Sequence, residues 1–215
     1  MTAVGILGGT FDPIHHGHLR LALEMAAALE LAAVRLLPLH APPHRERPIA
    51  PPELRLRMIL AAIEGQGTLL ADDREIKRQG ISYTVDTLAE FRREHAEVPL
   101  CLILGMDAFL SLPTWHHWER IIELAHIAVA HRLDAAPPPS AALHAFLDRH
   151  RTGDPKDLHR TRAGRVYFAA IPVLEISASG IRKRIAAGGN VHFLLPEAVL
   201  QLIYRYGLYR TANSQ

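Results

Sequence analysis

Short apolar runs of strand length recur along this chain, spaced too far apart for hairpins. They are AVGIL at 3–7, VRLLPL at 34–39, LCLIL at 100–104, IAVA at 127–130 and VYFAAI at 166–171, with a shorter run at Leu69–Ala71. Several are almost continuously apolar, as strands covered on both faces are. Between them lie helical patterns. Residues 18–31 place Leu19, Ala22, Leu23, Ala26 and Leu29 on one stripe, and 52–63 place Leu54, Met58 and Ala61 on another. Further helices are predicted over 84–95 with Thr84 as N-cap, over 114–124, over 179–187 and over 196–206. The proline-rich stretch 40–52 is a loop, and 73–83 is polar and mixed with no element assigned. Strands alternating with helices dictate an α/β fold: a doubly wound, mostly parallel sheet with right-handed crossovers and helices on both faces.

The 215 residues fit one domain, 1–215. The alternation breaks at 133–164, which holds PPP at 137–139 and a short helix AALHAFLDRH, and is expected to be an insertion or a loosely packed segment; 178–206 form a C-terminal helical part. A hydrophobic content of 49% supports a sizeable core, and 21% charged residues argue against disorder. The formal net charge of +2 implies no strong field for nucleic acid or anionic membrane. Arginines between 149 and 165 are offset by Asp148, Asp154 and Asp157, so that stretch reads as a solvated face. The single cysteine, Cys101, points to a reducing compartment, and no secretory signal or membrane span is visible, so a cytoplasmic protein is expected.

In a doubly wound sheet, ligands sit at the carboxyl ends of the strands. The informative loops fall there: 8–18, 40–47, 105–117 and 172–182. The first reads GGTFDPIHHGH. Gly8 and Gly9 let backbone approach a ligand, and the helix that follows aims free N–H groups and a positive dipole end at the same crevice. His15 and His18 flank Gly17, leaving room for a phosphate between two imidazoles; alone, either histidine reads as a solvated turn residue. Neither a dinucleotide fingerprint nor a Walker loop occurs. A zinc site lacks suitably spaced cysteine or carboxylate partners. ISASGIR at 176–182 offers serines that can cap a helix or meet a phosphate, and Arg182 one turn in. TWHHWERI at 114–121 carries two tryptophans three apart, one suited to packing and one to stacking on a flat ring.

Taken together, GGTFDPIHHGH resembles the first signature of the nucleotidyltransferases with a histidine–x–glycine–histidine motif, and ISASGIR resembles their second, usually written ISxTxxR. Within that superfamily, PPHR at 42–45, GISYTVDTL at 80–88 and GMDAFLSLPTWHHW at 105–118 are similar to the bacterial nicotinate-nucleotide adenylyltransferases. The resemblance runs from the first strand to residue 182 and implies a Rossmann-like nucleotidyltransferase fold. It implies AMP transfer from ATP to nicotinate mononucleotide, giving deamido-NAD and pyrophosphate, with magnesium carried by the ATP phosphates rather than by a protein metal site. It also implies ATP contacts from Gly8, Gly9, Thr10, Phe11, His15, His18, Gly105, Asp107, Ile176, Ser177, Ser179 and Arg182, with His15, His18 and Arg182 as the catalytic group. Nicotinate mononucleotide would meet Asp12, His44, Arg45, Tyr83, Thr84, Trp115, His116 and Arg132. Ser179 replaces the usual threonine and Arg45 the lysine common after PPH.

The implied chemistry suits these residue types. Such transfer needs two anions brought into line and charge neutralised as pyrophosphate leaves. The attacking phosphate oxygen is already ionised at neutral pH, so no general base is required. Rival readings are a nicotinamide-mononucleotide or phosphopantetheine adenylyltransferase of the same superfamily, or a non-catalytic nucleotide-binding regulator.

Overall fold

A computed structural model describes residues 2–42, 48–131, 140–172 and 174–210. Six strands form one parallel sheet: β1 (Val4–Gly9), β2 (Ala33–Pro38), β3 (Leu69–Ala71), β4 (Leu100–Gly105), β5 (His126–His131) and β6 (Val166–Ala170). Their order is β3-β2-β1-β4-β5-β6. Strand order reverses between β1 and β4, which makes the crevice above that pair the topological switch point.

Alternation of side chains across the sheet builds two cores. Along β4, Cys101 and Ile103 join a cluster on one face with Leu7, Met25, Val34 and Ile203; Leu100, Leu102 and Leu104 join Leu88, Phe91, Phe109 and Phe146 on the other. The first face is covered by α1 (His16–Ala28), α2 (Pro52–Ala62), α9 (Ala178–Ala186) and α10 (Glu197–Arg205). The second lies under α4 (Thr84–Glu94), α5 (Met106–Leu110), α6 (Ile121–Leu124) and α7 (Ala141–His150). Among the described residues, no helix is long and apolar enough to cross a membrane.

Four sequence expectations are corrected. Helix α1 begins at His16, not His18, so Gly17 and His18 lie inside its first turn and His15 is the N-cap. Thr84 is the first residue of α4, not its cap; Tyr83 occupies the cap position without a side-chain hydrogen bond. Residues 112–124 are not one helix but two 3₁₀ turns, Leu112–Thr114 and Trp118–Arg120, followed by α6. Trp115 is extended and His117 is left-handed at φ 47, so the helical conformation is interrupted, and the two tryptophans are joined only by a turn in which Trp118 N–H donates to the Trp115 carbonyl at 3.2 Å. Finally, the unassigned stretch 73–83 contains a short helix, α3 (Arg74–Arg78).

The described part of the expected insertion packs on the body. Leu143, Phe146 and, in α8 (Asp157–Arg160), Leu158 are buried. His159 accepts from the Ala3 N–H at 3.3 Å, and its other ring nitrogen lies 2.9 Å from the Leu29 carbonyl. Fully buried His126 does the same between Arg165 N–H, at 3.1 Å, and the Thr161 carbonyl, at 2.8 Å. These two imidazoles satisfy backbone groups that a longer connection leaves beside the sheet.

Candidate active site

The loops after β1, β4 and β6 and the start of α4 surround one cleft of about 1470 Å³ at the switch point. Its β1 wall is the turn from Gly8 to His18. Phe11 is left-handed at φ 48 and folds its ring back; a Cβ at Gly9 would stand 3.0 Å from that ring, so Gly9 makes room for Phe11. Gly17 answers a similar crowding: a Cβ there would lie 3.0 Å from the His15 ring and 3.2 Å from the Ile176 carbonyl. Glycine at this position lets the β6–α9 loop close onto the start of α1.

His15 and His18 stack, with ring centroids 3.7 Å apart and planes 22° from parallel, and Phe11 meets His18 edge-on at 4.9 Å. The Nδ1 atoms of both histidines are buried without a hydrogen-bond partner. Loss of water, reinforced by a neighbouring imidazole in each case, lowers His15 to about 4 and His18 to about 3. Both are therefore neutral at pH 7, offering N–H and lone-pair contacts rather than positive charge. Across the cleft, Ser177 caps α9 by accepting from Gly180 N–H at 3.1 Å, with the Ser179 hydroxyl 3.3 Å away. Arg182 donates to the Asp12 carbonyl at 2.8 Å, which ties α9 to the β1 turn.

The other end is aromatic. Tyr83 packs against His116 at 4.3 Å between ring centroids, and Thr84 and Trp115 line the same region. Trp118 turns away and packs on Phe146 of α7 at 5.2 Å. Gly105 caps α5, whose first turn holds Asp107, and both border the cleft, as do Thr10 and Ile176.

Asp12, expected as a substrate contact, borders the cleft while its carboxylate is also engaged by the fold. It is 2% exposed, and its carboxylate accepts from Ile49 N–H at 2.8 Å, Ala50 N–H at 3.1 Å and the Tyr209 hydroxyl at 2.6 Å. A carboxylate holding three donors is committed to shaping the turn. His44, Arg45 and Arg132 lie outside the described residues.

Sequence reasoning missed Arg55. This arginine of α2 is fully buried and donates to the carbonyls of Thr10 at 2.7 Å, Leu39 at 2.6 Å, His40 at 3.3 Å and Ala50 at 3.1 Å. It knits the turns after β1 and β2 to the start of α2. Its only local signal is a charge four residues before buried Ile59, an ambiguous one because long side chains often snorkel. Glu75, Ser82 and Thr87, also unanticipated, line the cleft below α4.

The family model described as cytidylyltransferase-like matches residues 6–184. A probable nicotinate-nucleotide adenylyltransferase of Methylococcus capsulatus is 46% identical over 96% of this chain and 99% of its own. One from Aeromonas hydrophila is 48% identical over 97% and 98%. The chain belongs to the nicotinate-nucleotide adenylyltransferase family. The match to both relatives runs over nearly the whole of each chain. A nicotinic acid mononucleotide adenylyltransferase of Plasmodium falciparum, solved in complex with NaAD, is 17% identical and aligns with a TM-score of 0.76 over 97% of this chain and 98% of that one. At that identity the likeness is one of fold.

Proposed function

We propose that the protein transfers AMP from ATP to nicotinate mononucleotide, giving deamido-NAD and pyrophosphate, a step of NAD biosynthesis. The observation that carries this reading is one cleft with two chemically different ends. The β1–α1 and β6–α9 end gathers imidazoles, hydroxyls and Arg182, which suit a triphosphate; the α4 end gathers Tyr83, Thr84, Trp115 and His116, which suit a flat, negatively charged ring.

In the reaction, a phosphate oxygen of the mononucleotide attacks the α-phosphorus of ATP, and the bond to the departing pyrophosphate breaks. His15 and His18 donate hydrogen bonds to phosphate oxygens whose charge grows during transfer, and Arg182, Ser177 and Ser179 hold the triphosphate from the opposite wall. Gly105 and Asp107 border the adenosine. Tyr83 and Trp115 face the pyridine, and N–H groups at the start of α4 and near His116 take its carboxylate. Among the described residues no three His, Cys, Asp or Glu side chains gather to hold a metal, while the phosphate end is rich in donors. That donor set fits magnesium bound through the triphosphate oxygens, where it would neutralise phosphate charge. A cytoplasmic location accords with a lone, buried thiol at Cys101.

The test is pyrophosphate release by the purified protein with ATP, magnesium and either nicotinate or nicotinamide mononucleotide. Rapid release with the acid and little with the amide is expected. Equal use of both, or release with neither, would overturn the reading.

A further inference from the structure

A carboxyl below the first turn of α4 has no part in the transfer described above. Glu75 of α3 lines the cleft yet is only 3% exposed. Its Oε1 accepts from the Thr87 hydroxyl at 2.6 Å, while Oε2 is buried with no hydrogen-bond partner. Burial pushes this carboxyl above the usual range, and the hydroxyls of Thr87 and Ser82, with Arg78, pull it partly back.

The surroundings hold Glu75 firmly in place. Arg74, its neighbour, lies 3.4 Å from the centre of the Phe91 ring and pairs with Asp72 at 2.9 Å and Glu94 at 3.1 Å, pinning α3 against α4. Arg78 donates to the Thr87 hydroxyl at 2.9 Å and pairs with Glu90 at 2.9 Å. Ser82 in turn accepts from His40 N–H at 2.9 Å and donates its own N–H to the Ala41 carbonyl at 2.9 Å. Thr87 N–H closes the first turn of α4 onto the Tyr83 carbonyl at 3.2 Å. Glu75 therefore sits among the loop after β2, the segment that leads into α4, and the first turn of α4 itself.

A buried carboxyl with one unmatched oxygen costs stability, and an apolar residue of similar shape would avoid that cost. Its retention at the wall of the cleft makes sense if the geometry it enforces is needed there. We propose that Glu75 is a positioning residue for acid recognition: by holding the Thr87 hydroxyl it fixes the first turn of α4, whose N–H groups meet the pyridine carboxylate, and so sets selectivity for the acid over the amide. This inference rests on the adenylyl-transfer reading above.

The experiment measures steady-state kinetics of wild type, Glu75→Ala, Glu75→Gln and Thr87→Val with both mononucleotides and with ATP. Glu75→Ala should raise the KM for nicotinate mononucleotide about tenfold, the equivalent of one lost buried hydrogen bond, and lower the acid-to-amide ratio similarly. The KM for ATP should stay within about twofold, and Glu75→Gln, which keeps an acceptor for Thr87, should restore most of the selectivity. Thr87→Val keeps the shape but removes the bridge, so it should shift selectivity in the same direction, and it decides the matter if Glu75→Ala does not fold. Unchanged selectivity in both Glu75→Ala and Thr87→Val would overturn the inference, as would equal losses for ATP and mononucleotide. Wild-type indifference to acid or amide would instead count against the underlying reading.

Discussion

His15 and His18 stack at the start of α1 with unpartnered Nδ1 atoms, an arrangement that costs energy until something polar arrives. Each imidazole is neutral at pH 7, so its contribution is a directed hydrogen bond in a dry site. His18→Ala should lower kcat by about 10²–10³, the usual cost of losing one such donor in the transition state. Far-ultraviolet dichroism should remain native; a folded variant within a few-fold of wild type would remove His18 from the mechanism. Arg55 acts at the same scale but by another route. Arg55→Ala leaves four carbonyls without their donor, and a single buried carbonyl left unpaired already costs about 1–3 kcal/mol. A lower Tm together with a raised KM for ATP is expected, because the Thr10 turn it holds lines the end of the cleft proposed for the triphosphate. A variant with normal KM would show that the turn keeps its shape without it.

Among the elements, the segment from Leu112 to Leu124 separates two residues that a continuous helix would place on one face. With His117 left-handed, Trp115 stays at the cleft and Trp118 turns to Phe146. Trp115→Ala should raise the KM for nicotinate mononucleotide and leave that for ATP nearly unchanged. Trp118→Ala should instead lower stability by about 0.5–3 kcal/mol, read by thermal denaturation, with little effect on either KM. Exchanged phenotypes would reverse the assignment. The apolar period of this segment made a helix the natural expectation, since nothing in TWHHW announces a positive φ at a histidine. Helix α1 was nearly legible, its start lying two residues earlier than expected, at His16, whose N–H finds its acceptor in the Leu194 carbonyl, far along the chain.

At the scale of the whole molecule, three histidines screened from water couple the fold to pH. His15, at about 4, and His18, at about 3, titrate below the ordinary value of 6.5, and burial also lowers His126. Between about 6.5 and those lower values the unfolded chain binds protons that the native state refuses, so stability falls as pH drops through this window. Above about 6.5 these groups contribute no slope. Chemical denaturation from pH 7.5 to 4.5 should show the loss, and His18→Gln should flatten it. A slope of the same size in the variant would exclude His18 as a source. Crossing the molecule, Tyr209, which follows α10, donates to Asp12 in the β1 turn, so the segment after α10 is tied to the cleft.

The strand runs and their spacing were sufficient by themselves for a parallel doubly wound sheet, because a strand buried on both faces tolerates few polar residues and leaves a continuous apolar signature. The two signatures likewise marked residues that line one cleft, since glycine, capping serine and paired histidines act over a few residues. Only the tertiary structure decided what distant partners control. The hold of Ile49, Ala50 and Tyr209 on Asp12 is invisible in the sequence, and nothing in it singles out Arg55 and Glu75 as buried. The physical reason is that a charged side chain carries no local mark of desolvation; its hydrogen-bond partners come from segments that only folding brings together.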